Sequence, residues 1–189
     1  MNINYYTRRR LRHMAAQTVG DRLLDVGCAA MPNPYLRGRR VVGLDRIPMD
    51  VRPPYTEHLV ADILAQDGPL GDQVFDSVLM GEFIEHAEQP FEVLRRLRPH
   101  VAPGGRLIVS TPNVLGFPIV VAEYLWLRRF YYTEEHAYCF SPRWVRRLLE
   151  RTGYRLLRTK GCGLCGPWGW WFPAPRPLCY LIVYVAAPA

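Results

Sequence analysis

Asp25 opens "DVGCAA" (25–30), where Gly27, Cys28, Ala29 and Ala30 are small enough to let a ligand approach the main chain. Asp45 follows twenty positions later, the interval at which an acid reaches ribose hydroxyls, and Arg46 beside it joins the candidate set. Asp62 and Ile63 form a third pair: a carboxylate accepts from an exocyclic amine while an apolar neighbour covers a purine ring. In "MGEFIEH" (80–86), Met80 and Glu82 offer further lining for the same crevice. Together these residues suit a nucleoside-like ligand. A dinucleotide pyrophosphate would need a full glycine fingerprint at a helix N-terminus, which this chain lacks.

Each of these residues follows a segment that reads as a short buried strand. "RLLDVG" (22–27), "RVVGLD" (40–45), "HLVAD" (58–62), "FDSVLMG" (75–81) and "GRLIVSTPN" (105–113) are apolar runs stopped by Gly, Asp or Pro. Between the last two, Phe91, Leu94 and Leu97 recur at helical spacing, and Pro-Gly-Gly ends that helix. "SPRWVRRLLERTGY" (141–154) predicts a capped helix with Trp144, Leu148 and Leu149 on its apolar side. Buried strands alternating with amphipathic helices imply a parallel sheet covered on both faces, whose ligand site lies at the carboxyl ends of the strands. "YRLLRT" and "PLCYLIVYVAAP" add two strands joined by a Gly/Pro/Trp-rich connection too short for a crossover helix, so they are expected to pair antiparallel.

Composition bounds the rest. A chain of 189 residues, 49% hydrophobic, supports one domain over 1–189. The formal charge of +7 is carried almost wholly by arginine, Lys160 being the only lysine, a bias that says little about partners. Five scattered cysteines argue for reduced thiols and a cytoplasmic setting. No apolar run is long enough to span a bilayer.

The motifs "LLDVGCA", "VVGLD", "VADI", "FDSVLMGEFIEH", "LRPHVAPGGRLIVSTPN" and "HAYCFSPRWVRRLLERTGY", in this order over roughly residues 20–158, resemble the class I S-adenosylmethionine-dependent methyltransferases. The similarity is strongest to the small-molecule branch that includes the ubiquinone-biosynthesis O-methyltransferases. The resemblance implies a Rossmann-like, doubly wound α/β fold with seven strands, mostly parallel, one C-terminal strand inserting antiparallel. It implies S-adenosylmethionine as cofactor, bound by Asp25, Gly27, Cys28, Ala29, Asp45, Arg46, Asp62, Ile63, Met80 and Glu82. Ala29 stands where family members usually carry a second glycine, and its methyl would crowd the cofactor's amino-acid end. An acid-rimmed crevice suits a ligand bearing sulfonium and ammonium groups.

By the same resemblance, the connection carrying His136 faces the acceptor, where a neutral imidazole could take a hydroxyl proton as the methyl arrives. The alternative, a histidine that ties the connection to the next helix, stays open. His86 is read as shaping a turn, and Glu134 and Glu135 as solvated charges. His13, His58 and His100 show no metal-ligand spacing, and Cys162 and Cys165 lack a second pair at zinc spacing, so no metal is assigned. Residues 113–140 are expected to form an acceptor lid, although "VLGFPIVVAEYLWLRRFYY" (114–132) also suits a membrane-surface helix or the face of a homodimer. The aromatic loop 160–177 closes the pocket or packs on the sheet. The expected activity is methyl transfer to a small molecule, most plausibly at an oxygen of a sugar, phenol or secondary-metabolite intermediate. A short N-terminal helix leaves the site open enough for a bulky or carrier-bound acceptor. Nucleic acid is excluded for want of an Asn/Asp-Pro-Pro-aromatic motif or an added recognition domain. Two rivals remain: a protein of this fold that binds or scaffolds without methyl transfer, for which Ala29 speaks, and a cofactor-assisted cyclase.

Overall fold

The computed structural model describes residues 4–66, 68–125, 136–165 and 171–189. The Asn4 side chain accepts the Thr7 N–H at 2.8 Å and starts helix α1 (Tyr5–Ala15). The next strands are β1 (Arg22–Val26), β2 (Arg40–Asp45), β3 (Glu57–Val60) and β4 (Phe75–Gly81). After them come α2 (Pro90–Leu97), β5 (Val101–Pro112), α3 (Phe117–Tyr124), α4 (Pro142–Arg151) and β6 (Tyr154–Gly161). The chain ends in a two-stranded ribbon, β7 (Leu164–Cys165) with β8 (Trp171–Phe172), and a last strand, β9 (Leu181–Pro188).

The seven main strands lie in the order β3-β2-β1-β4-β5-β9-β6. Strands β1 to β5 pair parallel, and β9 inserts between β5 and β6, antiparallel to both. This is the topology implied by the sequence, including the direct antiparallel pairing of the last two long strands. Alternate side chains of the buried strands feed two cores: Leu24, Val42, Val78 and Val109 on one face, Leu23, Val41, Leu79 and Ile108 on the other. Helices α2 and α4 cover the first face and α1 the second. Among the described residues, no helix is long and apolar enough to cross a membrane.

Two helix faces differ from expectation. In α4 the buried stripe is Val145, Leu148 and Leu149, while Trp144 is 57% exposed. In α2 it is Val93, Leu94 and Leu97, with Phe91 at the margin, 36% exposed. Both rings fit a helical period but sit one residue out of phase with the aliphatic stripe, and the smaller side chains win the contact with the sheet. The expected lid lies partly outside the described residues (126–135); its described part forms α3, with Ile119 buried and Phe117, Val120 and Tyr124 exposed. Glu134, Glu135, Trp168 and Trp170 also lie outside the described residues.

Asn113 fastens the end of β5 to the C-terminal segment. Its side-chain amide donates to the carbonyls of Pro177 and Cys179, both at 3.1 Å, its Oδ1 accepts the Leu115 N–H, and its own N–H reaches the Tyr180 carbonyl at 2.7 Å. Asn113→Ala should leave these buried groups unpaired and lower unfolding stability by about 2–4 kcal/mol, read by denaturant titration.

Candidate functional site

The parallel register puts the ends of β1, β2, β3 and β4 side by side, and the loops that follow build one rim. Gly27, just past β1, has φ +72°, and a Cβ there would lie 2.3 Å from the Phe83 ring, so glycine is required on two counts. Ala29 has no such demand: Glu82 is the only non-glycine with positive φ among the described residues. The Ala29 N–H donates to Asp45 Oδ2 at 2.9 Å and the Ile47 N–H to Asp45 Oδ1 at 3.0 Å, so one carboxylate ties the loops after β1 and β2 together. Cys28 is buried, its sulfur 3.9 Å from that of Met49, and burial pushes its thiol up.

Asp25 lies beneath this rim. Tyr55 donates its hydroxyl proton to Asp25 at 2.5 Å and accepts the Asn33 N–H at 2.7 Å. Asn33 in turn donates to the Leu11 carbonyl of α1 at 3.1 Å and accepts the Tyr35 N–H. The "AMPNPY" loop is thus held between the end of β1 and α1. Burial raises the Asp25 carboxyl to about 6, against the opposing effects of Tyr55 and Arg10.

The remaining rim residues divide between solvent and core. Asp62 accepts the Leu64 N–H at 2.8 Å and faces Arg46 at 3.7 Å, both substantially exposed. Ile63 and Met80 are buried in the core beneath the rim. Glu82, at φ 53°, carries the kind of backbone strain that functional loops retain. It forms an ion pair at 3.1 Å with Arg10 of α1, which is 1% exposed. Arg10 also reaches Ser110 Oγ at 3.3 Å and occupies space that a side chain at Gly81 would fill, while its buried Nε has no partner among the described residues. Sequence reasoning missed Arg10. The signal was an arginine four residues from both Tyr6 and Met14, inside the helix's apolar stripe.

Further along the strand ends, Glu85, His86 and His136 bring one ligand atom each within 4.8 Å of one another, the imidazoles 4.6 Å apart edge to face. Glu85 is buried, and among the described residues neither of its oxygens has a hydrogen bond of good geometry, the Thr111 hydroxyl and its own main-chain N–H being the donors beside it. Burial, with the charge of Glu82 adding to it, raises Glu85 to about 8. A buried carboxylate facing two imidazoles is a donor set suited to a divalent cation. The sequence had assigned no metal and left His86 in a turn. It could not foresee that residues fifty positions apart would meet. A narrow recess adjoins, walled by Thr111, Val114, Ile119, His136, Tyr138 and Phe140, with the Tyr138 and Phe140 rings stacked at 5.7 Å.

These residues fit an adenosyl group carrying an amino-acid end. Asp45 and Asp62 are acceptors at the ends of β2 and β3, Glu82 offers a carboxylate to a cationic group, and Arg10 has spare donors for a carboxylate.

The methyltransferase domain family matches residues 2–159. Similar curated proteins include the ubiquinone biosynthesis O-methyltransferase of Dinoroseobacter shibae, 31% identical over 75% of this chain and 63% of that protein. That of Cereibacter sphaeroides is 30% identical over 84% of this chain and 70% of that protein. The chain therefore spans less than two thirds of the length of the former. Among solved structures, the N-methyltransferase NodS from Bradyrhizobium japonicum in complex with S-adenosyl-l-homocysteine superimposes with a TM-score of 0.64 at 15% identity, covering 99% of this chain and 89% of that one. A SAM-dependent methyltransferase from Archaeoglobus fulgidus gives 0.64 at 16%, covering 95% and 91%. At these identities the structures establish the shared fold.

Because folding raises the Asp25 pKa from 3.8 to about 6, the folded state binds a proton that the unfolded state has released, and stability contributed by this group falls as pH rises across that window. Asp25→Asn keeps an acceptor for Tyr55 and removes the titration. The stability difference between variant and wild type should therefore grow in the variant's favour from pH 4 to 6 by roughly 2 kcal/mol, measured by denaturant unfolding. A constant difference would place the ionisation elsewhere.

Proposed function

We infer that this chain, which belongs to the methyltransferase domain family, transfers a methyl group from S-adenosylmethionine to an oxygen of a small-molecule acceptor. The observation that carries this reading is the single rim on which the acids of β2 and β3, the Arg10–Glu82 pair and the His86–His136 pair stand in sequence, ending at the recess. S-adenosylmethionine supplies a methyl already activated on a sulfonium. What remains for the protein is alignment of three atoms and removal of one proton.

Asp45, fixed by two main-chain N–H groups, keeps lone pairs for ribose hydroxyls, and Asp62 accepts from the adenine amine. Arg10 holds the donor's carboxylate and Glu82 its ammonium. The recess as it stands has a cavity volume of about 10 Å³, so its aromatic and aliphatic walls, Val114, Ile119, Tyr138 and Phe140, would have to part to admit the apolar body of a phenol-like acceptor, which they suit better than a sugar. His136, at the mouth of the recess, takes the hydroxyl proton, a general-base contribution of about 100-fold or more. The names of the relatives favour oxygen as the atom methylated.

A second reading of the same end of the site is favoured by the buried Glu85 carboxylate with two imidazoles beside it: Glu85, His86 and His136 would hold a divalent cation. Such an ion supplies Lewis acidity toward an acceptor hydroxyl.

Incubation with S-adenosylmethionine and candidate phenols should yield a product heavier by one methylene, read by mass spectrometry. His136→Ala should lower turnover by about 100-fold or more with donor affinity nearly unchanged. A chelator separates the two readings. Activity that survives ethylenediaminetetraacetate assigns His136 to proton transfer alone, whereas loss that zinc restores assigns the cation. Absence of any methylated product together with absence of donor binding would overturn the activity.

A further inference from the structure

We propose that Trp171, on the β7–β8 ribbon, is a positioning residue for donor binding: it latches α1 so that Arg10 stays buried under the rim. The proposal rests on the reading that Arg10 receives the donor's carboxylate.

Helix α1 is eleven residues long, too short to be stable alone in water, and it must hold a guanidinium out of solvent against one ion pair, with Glu82, and a hydrogen bond to Ser110 among the described residues. Attachment to the rest of the molecule decides whether Arg10 remains in place. Part of that attachment is apolar, through Tyr6, Leu11 and Met14, and part is the Asn33 bond to Leu11 near the helix's C-terminal half. The N-terminal half is gripped by the ribbon. The guanidinium of Arg9, next in sequence to Arg10, lies 4.0 Å from the centre of the Trp171 ring, and Tyr5 meets the same ring edge-on at 6.0 Å.

The indole is itself held. Its Nε1–H donates to the Cys162 carbonyl at 2.7 Å. Gly163, at φ +93°, leaves the room it needs, since a Cβ there would fall 2.2 Å from Nε1. Tyr180, whose N–H bonds the Gly163 carbonyl, adds a ring 5.7 Å from that of Tyr6. Cys162, Gly163 and Trp171 thus form a seat for two consecutive turns of α1, and the ring both packs against the core on that face of the sheet and meets the helix. Residues 9 and 10 point to different partners, so restraining Arg9 at the ribbon sets the rotation of the helix and with it the direction of Arg10 toward Glu82 and Ser110.

The test compares two donor analogues on the full chain by titration calorimetry. S-adenosylhomocysteine carries the amino-acid end that Arg10 would hold, and 5′-methylthioadenosine keeps the nucleoside and sulfur but lacks that end. Trp171→Ala should weaken S-adenosylhomocysteine by about tenfold and leave 5′-methylthioadenosine within about twofold. Trp171→Phe, which keeps a ring face for Arg9, should recover most of the loss. Should Trp171→Ala fail to fold, Arg9→Met removes the cation from the ring and should give the same split. Equal loss for both ligands, or no loss for either, overturns the latch while leaving the donor reading intact. Wild-type protein that binds neither ligand overturns the donor reading and the latch with it.

Discussion

Arg10 is a charge removed almost entirely from water, and the cost of placing it there organises one side of the molecule. A guanidinium in this setting is tolerated only with carboxylates and hydrogen-bond acceptors close by, and it finds Glu82 at 3.1 Å and Ser110 at 3.3 Å. Gly81 must lack a side chain to admit it, Glu82 must adopt a left-handed backbone to meet it, and α1 must be docked to deliver it. Among the described residues the buried Arg10 Nε has no partner. That imbalance, a cation held with donors to spare at the ends of β4 and β5, fits an anionic end of a bound molecule.

The sheet supplies the second constraint. Parallel pairing in register places the carboxyl ends of four strands in a row, so residues scattered from position 25 to position 86 become neighbours without any loop reaching far. Within that row chemistry is graded by burial. Asp45 and Asp62 stay accessible at one end, while Glu85 is sunk with two imidazoles at the other. The chain belongs to the methyltransferase domain family.

Much of this was legible in the residues. The strands were readable because each is a short apolar run closed by Gly, Asp or Pro, and β2 and β4 match those runs to the residue. The rim acids were legible because a parallel sheet makes position after a strand equivalent to position at the crevice. Trp144 and Phe91 were misplaced because a helical period alone does not decide which of two adjacent stripes faces inward. Arg10 escaped notice in a run of exposed arginines, since burial of a charge depends on partners seventy and a hundred positions away. His86 and His136 could not be joined from sequence either, because their meeting depends on the connection after β5 folding back over β4, a tertiary fact with no local signature. At Ala29 the backbone itself makes no demand for glycine.

The most direct measurement is titration calorimetry of S-adenosylhomocysteine into wild-type protein and into Arg10→Gln. A buried guanidinium that receives the ligand's carboxylate predicts clear binding to the wild type and a loss of about 30-fold in the variant, in line with about 2 kcal/mol for a charge-assisted contact. Equal affinity for the two proteins, or no heat of binding to the wild type at millimolar ligand, would contradict it.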